Sequence, residues 1–179
     1  MTLIGEPRTT PLLLRLGIAL SERVTGRRML PARLLAWYPR AAVGAGVLEA
    51  LVAHDEPSER LLKLVRVAAS LTPNCAFCID MNGFDPESAG VSAAEVDALR
   101  AGDPSPFSAS ERLAIEYARR ISSTPLVFPE DFMDALRAAY TERELVILAS
   151  TAAQVNFWAR LIQGLGIPPA GFGDACPAG

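Results

Sequence analysis

The stretch TPNCAFCIDMN, residues 72–82, carries two of the chain's three cysteines, Cys75 and Cys78, separated by two residues. Thiols at this spacing can cycle between dithiol and disulfide, ligate a metal, or pack as small apolar groups. A structural zinc needs four ligands, and beyond this pair the chain offers only Cys176 and the lone His54, at no finger-like spacing. Two buried structural cysteines stay open as an alternative. A reversible redox pair is the most economical reading. Three cysteines do not make a secreted disulfide framework, so the chain is read as cytoplasmic.

The local sequence positions the thiols. In SERLLKLVRVAASL, Leu61, Leu64, Val65, Ala68 and Leu71 recur at three- and four-residue spacings, with Glu59 and Lys63 as an i,i+4 pair on the other side. Pro73 disfavours helical geometry at Thr72, so this helix is expected over 58–71 and a second from Asn74 or Cys75, with Asn74 as its cap. Both cysteines then lie in a first helical turn, where unpaired N–H groups and the helix dipole favour thiolate. Side chains at i and i+3 of a regular helix stand about 5–6 Å apart at Cβ, against about 3.8 Å in a disulfide, so closure needs Cys75 at the frayed end.

Nearly every other segment also reads as helix. Capping-box patterns occur at Ser92 with Glu95, Ser108 with Glu111 and Thr141 with Glu144, and Pro129-Glu130-Asp131 opens another helix. Earlier helices are expected near 10–24, 31–38 and 41–54. Alternating β-branched runs are missing; TPLVFP is short and bracketed by prolines. The expected fold class is all-α, and 179 residues suit a single domain.

Half the residues are apolar, which suggests that some apolar surface ends in a subunit interface. A net charge of -3 without a basic run argues against nucleic-acid and anionic-membrane partners. LVILASTAAQVNFWA is too short and too polar at Gln154 and Asn156 for a membrane span and reads as a buried helix, and the N-terminus lacks a convincing signal-peptide pattern.

LLKLVRVAASLTPNCAFCIDMN resembles the active-site segment of the carboxymuconolactone decarboxylase superfamily in its alkylhydroperoxidase D-like (AhpD-like) branch, where a helix runs into CxxCxxxH. Residues 108–168 resemble the downstream helices, including Asn156, Arg160 and the Leu165-Gly166-Ile167 ending. The similarity spans roughly 35–168, which leaves 1–34 as an N-terminal helical extension and 169–179, with Cys176, as a flexible tail. It implies an all-helical, cofactor-free homotrimer or homohexamer that reduces hydroperoxides. By resemblance, Cys78 attacks the peroxide, Cys75 supplies a proton and closes the disulfide, and a dithiol such as a lipoyl protein reopens it.

Two departures stand out. The histidine expected four residues after the second cysteine is Asn82, and the upstream relay glutamate falls at Lys63. An amide cannot move a proton as imidazole does. General acid–base help contributes about 10²- to 10⁴-fold, so a slow peroxidase is expected. Glu59, the nearest acid to Lys63, and Asp80 are supporting candidates; Asp80 should point away from Cys78. Glu111 and Tyr117 are further candidates from another helix, while His54 reads as a surface or capping residue. Asn156 and Arg160 are assigned a structural role, and Trp37, Tyr38 and Trp158 a place in core or interface. The departures keep two other classes open: a non-redox small-molecule enzyme or ligand-binding member of the superfamily, and a catalytically decayed structural protein.

Overall fold

A computed structural model describes residues 2–173. Among them the secondary structure is entirely helical: α1 (Leu12–Thr25), α2 (Leu30–Leu35), α3 (Pro39–Leu51), α4 (Glu59–Leu71), α5 (Ala76–Gly83), α6 (Ala93–Ala101), α7 (Ala109–Ser122), α8 (Glu130–Ala139) and α9 (Glu142–Gly164), with a 3-10 turn at Glu87–Ala89. The proline-bracketed stretch after α7 is coil.

The central element is α4. Ser58 caps it by accepting a hydrogen bond from the Leu61 amide at 3.1 Å. Its apolar positions are so closely spaced that Leu61, Leu62, Leu64, Val65, Val67, Ala68, Ala69 and Ser70 are all buried. It packs against α5, α6, α7 and α9. One core cluster joins α4 to Val96 and Leu99 of α6, Ala114, Ile115 and Ala118 of α7, and Leu148, Ala152 and Val155 of α9. A second gathers Leu34, Cys75, Phe77, Cys78, Ala159, Ile162 and Ile167 around the thiol pair.

All three capping boxes form, and two of them do more than start a helix. The Arg60 guanidinium on α4 bonds Glu95 at 2.5 Å and Glu111 at 2.7 Å, so the capping glutamates of α6 and α7 share one cation. The Arg60 hydrogen bond, with help from the Ser92 backbone, holds the Glu95 carboxyl down at about 2. Because its folded pKa lies below the ordinary 4.5, Glu95 contributes stability above 4.5 that is lost as pH falls toward about 2. Arg60→Met should cost about 2 kcal/mol near neutrality, discounted for partial exposure. Denaturation at several pH values checks this: the gap between wild type and variant should shrink on acidification through that window.

Some sequence expectations change. Lys63 does not pair with Glu59 but donates to the Phe84 carbonyl at 2.5 Å, at the C-cap of α5. Asn74 does not cap α5; it takes a left-handed φ of 50°, which asparagine tolerates better than most residues, and Cys75 is the cap. The 23-residue α9 is long and apolar enough to cross a membrane by length and composition. Its face bearing Leu148, Thr151, Ala152, Val155, Ala159 and Ile162 is buried, whereas Val146 and Phe157 are exposed.

Exposed apolar side chains concentrate elsewhere too. Leu12, Leu16, Leu20 and Val24 recur every four residues along α1, and Val43, Val47 and Leu51 do so along α3. Trp37 and Tyr38 lie outside the core at 59% and 60% exposure, with the Trp37 indole donating to the Gly5 carbonyl.

Candidate active site

The chain between α4 and α5 determines the thiol geometry. Thr72 closes α4, the left-handed Asn74 turns the backbone, and Cys75 enters as N-cap of α5 in an extended conformation. Its sulfur accepts a hydrogen bond from the Cys78 amide at 3.3 Å, a role usually taken by a serine or aspartate oxygen. Because Cys75 stands outside the helix, Cys75 and Cys78 reach each other across a Cα separation of 5.2 Å and are joined as a disulfide. Both are buried, at 0% and 1% exposure.

The two cysteines are not equivalent. Cys78 lines a small cavity of about 30 Å³ together with Glu49 of α3, Arg66 of α4, Asn82 of α5, and Gln154 and Trp158 of α9, whereas Cys75 does not reach that wall. A volume of that size holds a water molecule or a peroxide group.

Each polar neighbour has a defined partner. Asn82 donates to the Ser70 hydroxyl at 2.9 Å, and Ser70 in turn donates to the Arg66 carbonyl at 2.7 Å, so the amide ties α5 to α4. Arg66 donates to the Ala53 carbonyl at 2.8 Å. Burial pushes its pKa down from the ordinary arginine range, opposed by the nearby Glu49 carboxylate. It still supplies the cavity with a cation, which favours thiolate at Cys78. Glu49 accepts from the Gln154 amide at 2.5 Å and the Trp158 indole at 3.2 Å, both at Oε2.

Several side chains singled out in the sequence fall elsewhere. Glu59 is exposed at the first position of α4, eleven residues and so about 16 Å along the axis from Ser70. Asp80 faces away from Cys78, as its position suggested, and supports nothing in the cavity. Its carboxylate accepts the amides of Gly171, Phe172 and Gly173 at 2.7, 3.0 and 2.8 Å. Gly171, at φ 74°, lets these consecutive N–H groups converge on one carboxylate. The segment assigned to a tail is therefore fastened to α5 through residue 173; Cys176 lies outside the described residues. Lys63 stays clear of the cavity, its pKa lowered mainly by burial.

Glu111 is held by Arg60, and Tyr117 packs edge-on against Phe128 at 5.9 Å. His54 is exposed and contacts the Glu49 carbonyl at 3.1 Å, a capping position at the end of α3. Asn156 donates to the Ser122 hydroxyl and the Ala152 carbonyl, both at 2.8 Å, and Arg160 is exposed.

Sequence reasoning passed over Glu49, Arg66, Gln154 and the site position of Trp158. A signal existed for Glu49, a lone charge in the apolar run AAVGAGVLEALVA, whereas Arg66 continues the polar stripe of Glu59 and Lys63 and reads as solvated.

A larger cavity of about 560 Å³ lies between α1, α2, α3 and the site, with Ile18, Leu35, Val43, Phe77 and Ile162 in its wall. Glu49, Met81 and Trp158 line both spaces, so a molecule in the larger one lies against the wall of the smaller.

No family model matches the chain. The uncharacterized protein YnjA of Escherichia coli K12 is 29% identical over 169 residues, 90% of each chain. A solved alkylhydroperoxidase AhpD core, an uncharacterized peroxidase-related protein from Ralstonia eutropha JMP134, has a TM-score of 0.81 at 17% identity, covering 94% of this chain and 92% of that one. The debrominase Bmp8 gives a TM-score of 0.81 at 18% identity, covering 96% and 94%. The chain has the AhpD-like fold. Its structural neighbours are peroxidase-related proteins and a debrominase, and at these identities they speak to the fold alone.

Proposed function

We propose that the chain is a thiol-dependent hydroperoxide reductase of the AhpD-like kind within the carboxymuconolactone decarboxylase superfamily. The observation that carries this reading is the asymmetry of the pair: Cys78 lines a cavity of peroxide size, and its disulfide partner Cys75 is sealed behind it.

In the reduced protein the Cys78 thiol gives up its proton, and the thiolate attacks the terminal oxygen of ROOH. The O–O bond breaks, an S–O bond forms, and RO⁻ leaves to be protonated as ROH. Cys78 is then a sulfenic acid. The Cys75 sulfur attacks the Cys78 sulfur, the S–O bond breaks, and hydroxide leaves as water with the Cys75 proton. Two thiols and one hydroperoxide thus give one disulfide, one alcohol and one water. An external dithiol, such as reduced lipoamide on a lipoyl protein, restores the pair by exchange.

A reducing cytoplasm suits this cycle. The apolar stripes of α1 and α3 suit burial in a homo-oligomer, a trimer or hexamer by the family resemblance. The test is steady-state turnover: the purified protein should couple reduction of an organic hydroperoxide to oxidation of dihydrolipoamide in equal molar amounts. Hydroperoxide consumption at the uncatalysed rate would refute it.

A second reading draws on the larger cavity. One structural neighbour is a debrominase solved, as a cysteine-to-alanine variant, with 2,3,4-tribromopyrrole bound. An apolar space of about 560 Å³ against the thiol site suits a halogenated aromatic ring. Reduction of ArBr by the two thiols would give ArH, HBr and the disulfide, so bromide release in the same assay separates the two readings.

A further inference from the structure

The hydroperoxide cycle, on which this inference rests, moves a proton off Cys78 and returns one to the leaving alkoxide inside a space of about 30 Å³. A group on that wall must accept and give back the proton. Asn82 is an amide engaged with Ser70, and Gln154 and Trp158 are neutral hydrogen-bond donors to Glu49. Arg66 is a cation without acceptor capacity. Glu49 is the wall residue that can do both. We propose that Glu49 is the acid–base catalyst of the Cys78 site, replacing an imidazole at position 82 from a different helix.

Three features fit the carboxylate for that work. Gln154 and Trp158 fix its orientation from α9, with both bonds on Oε2. The His54 ring caps the Glu49 carbonyl, which steadies the last turn of α3. Glu49 also lines the apolar cavity, so a hydroperoxide whose organic part fills that space lies against this carboxylate.

In the first half of the cycle the proton balance closes on one residue. Glu49 takes the thiol proton as Cys78 attacks, and the protonated acid returns it to RO⁻. In the second half Cys75, which does not reach the cavity wall, attacks the Cys78 sulfur, the S–O bond breaks, and hydroxide leaves as water with the Cys75 proton. The charged or titratable groups around Glu49 are Arg66 from α4, Cys78 from α5 and His54 from the loop after α3; α9 presents only neutral Gln154 and Trp158.

Glu49→Gln keeps shape and hydrogen-bonding reach but cannot accept a proton. It should lower turnover about 10²-fold, and Glu49→Asp should recover part of the loss. Alongside turnover, the rate at which uncharged iodoacetamide alkylates Cys78 in the reduced protein is measured against pH, with Cys75→Ser and Cys176→Ser in all backgrounds. Carboxylate-assisted deprotonation gives wild type a limb in this profile that Glu49→Asp keeps and Glu49→Gln loses, whereas a purely packing role would leave the profile in place. Superimposable profiles for wild type and Glu49→Gln would overturn the assignment even if turnover is found. Absence of turnover in wild type with a Glu49-dependent alkylation profile would instead overturn the hydroperoxide reading and keep the residue's role.

Discussion

Cys78→Ser should reduce dithiol-dependent hydroperoxide turnover by about 10³-fold or more, the scale seen when a covalent nucleophile is removed. Serine fits the space of cysteine, so folding should survive, but its hydroxyl is a poor nucleophile toward peroxide oxygen without strong activation. Cys75→Ser should also stop turnover, for a different reason. Cys78 still reacts with the first equivalent of hydroperoxide, since it is the thiol on the cavity wall, but the sulfenic acid has no neighbour to close upon. A sulfenic-acid-specific reagent should therefore label Cys75→Ser stoichiometrically and leave Cys78→Ser unlabelled. The reverse pattern would assign the attacking role to Cys75.

The second large effect is on stability. Asp80→Ala removes the acceptor of three backbone N–H groups and frees Phe172, which packs against Phe84 at 5.7 Å and is 7% exposed. Hydrogen bonds to a charged acceptor contribute about 1.5–3 kcal/mol each, but the amides regain water once the segment lifts away. A net cost of about 3 kcal/mol is expected in urea denaturation. Turnover below the transition should be preserved, because Asp80 faces away from the cavity that Cys78 lines. Loss of turnover in a fully folded Asp80→Ala protein would place this carboxylate in the reaction.

Local chemistry was the legible part of this chain. The all-helical class, the three capping boxes and the break after α4 follow from capping residues, proline and 3.6-residue periodicity, all of which act over a few positions. The closable cysteine pair was legible for the same reason. What the sequence hid is held by contacts across the chain. Glu49 meets Gln154 and Trp158 over more than a hundred residues, and Asp80 meets Gly171 over ninety-one. Nothing in the spacing of Glu49 ties it to the cysteines, because α3 is brought to them by tertiary packing rather than by helical register. Lys63 shows the opposite error: the i,i+4 pair with Glu59 was sound locally, but a carbonyl at the end of α5 won the ammonium.

The most direct test of the redox cycle is the mass of the protein after a single oxidation. Reduced protein treated with one equivalent of organic hydroperoxide, alkylated and digested should yield a peptide spanning Cys75 and Cys78 that is lighter by two hydrogens than its dithiol form and carries no alkyl group. The same peptide recovered with both thiols alkylated, after the hydroperoxide has been consumed, would contradict a Cys75–Cys78 cycle.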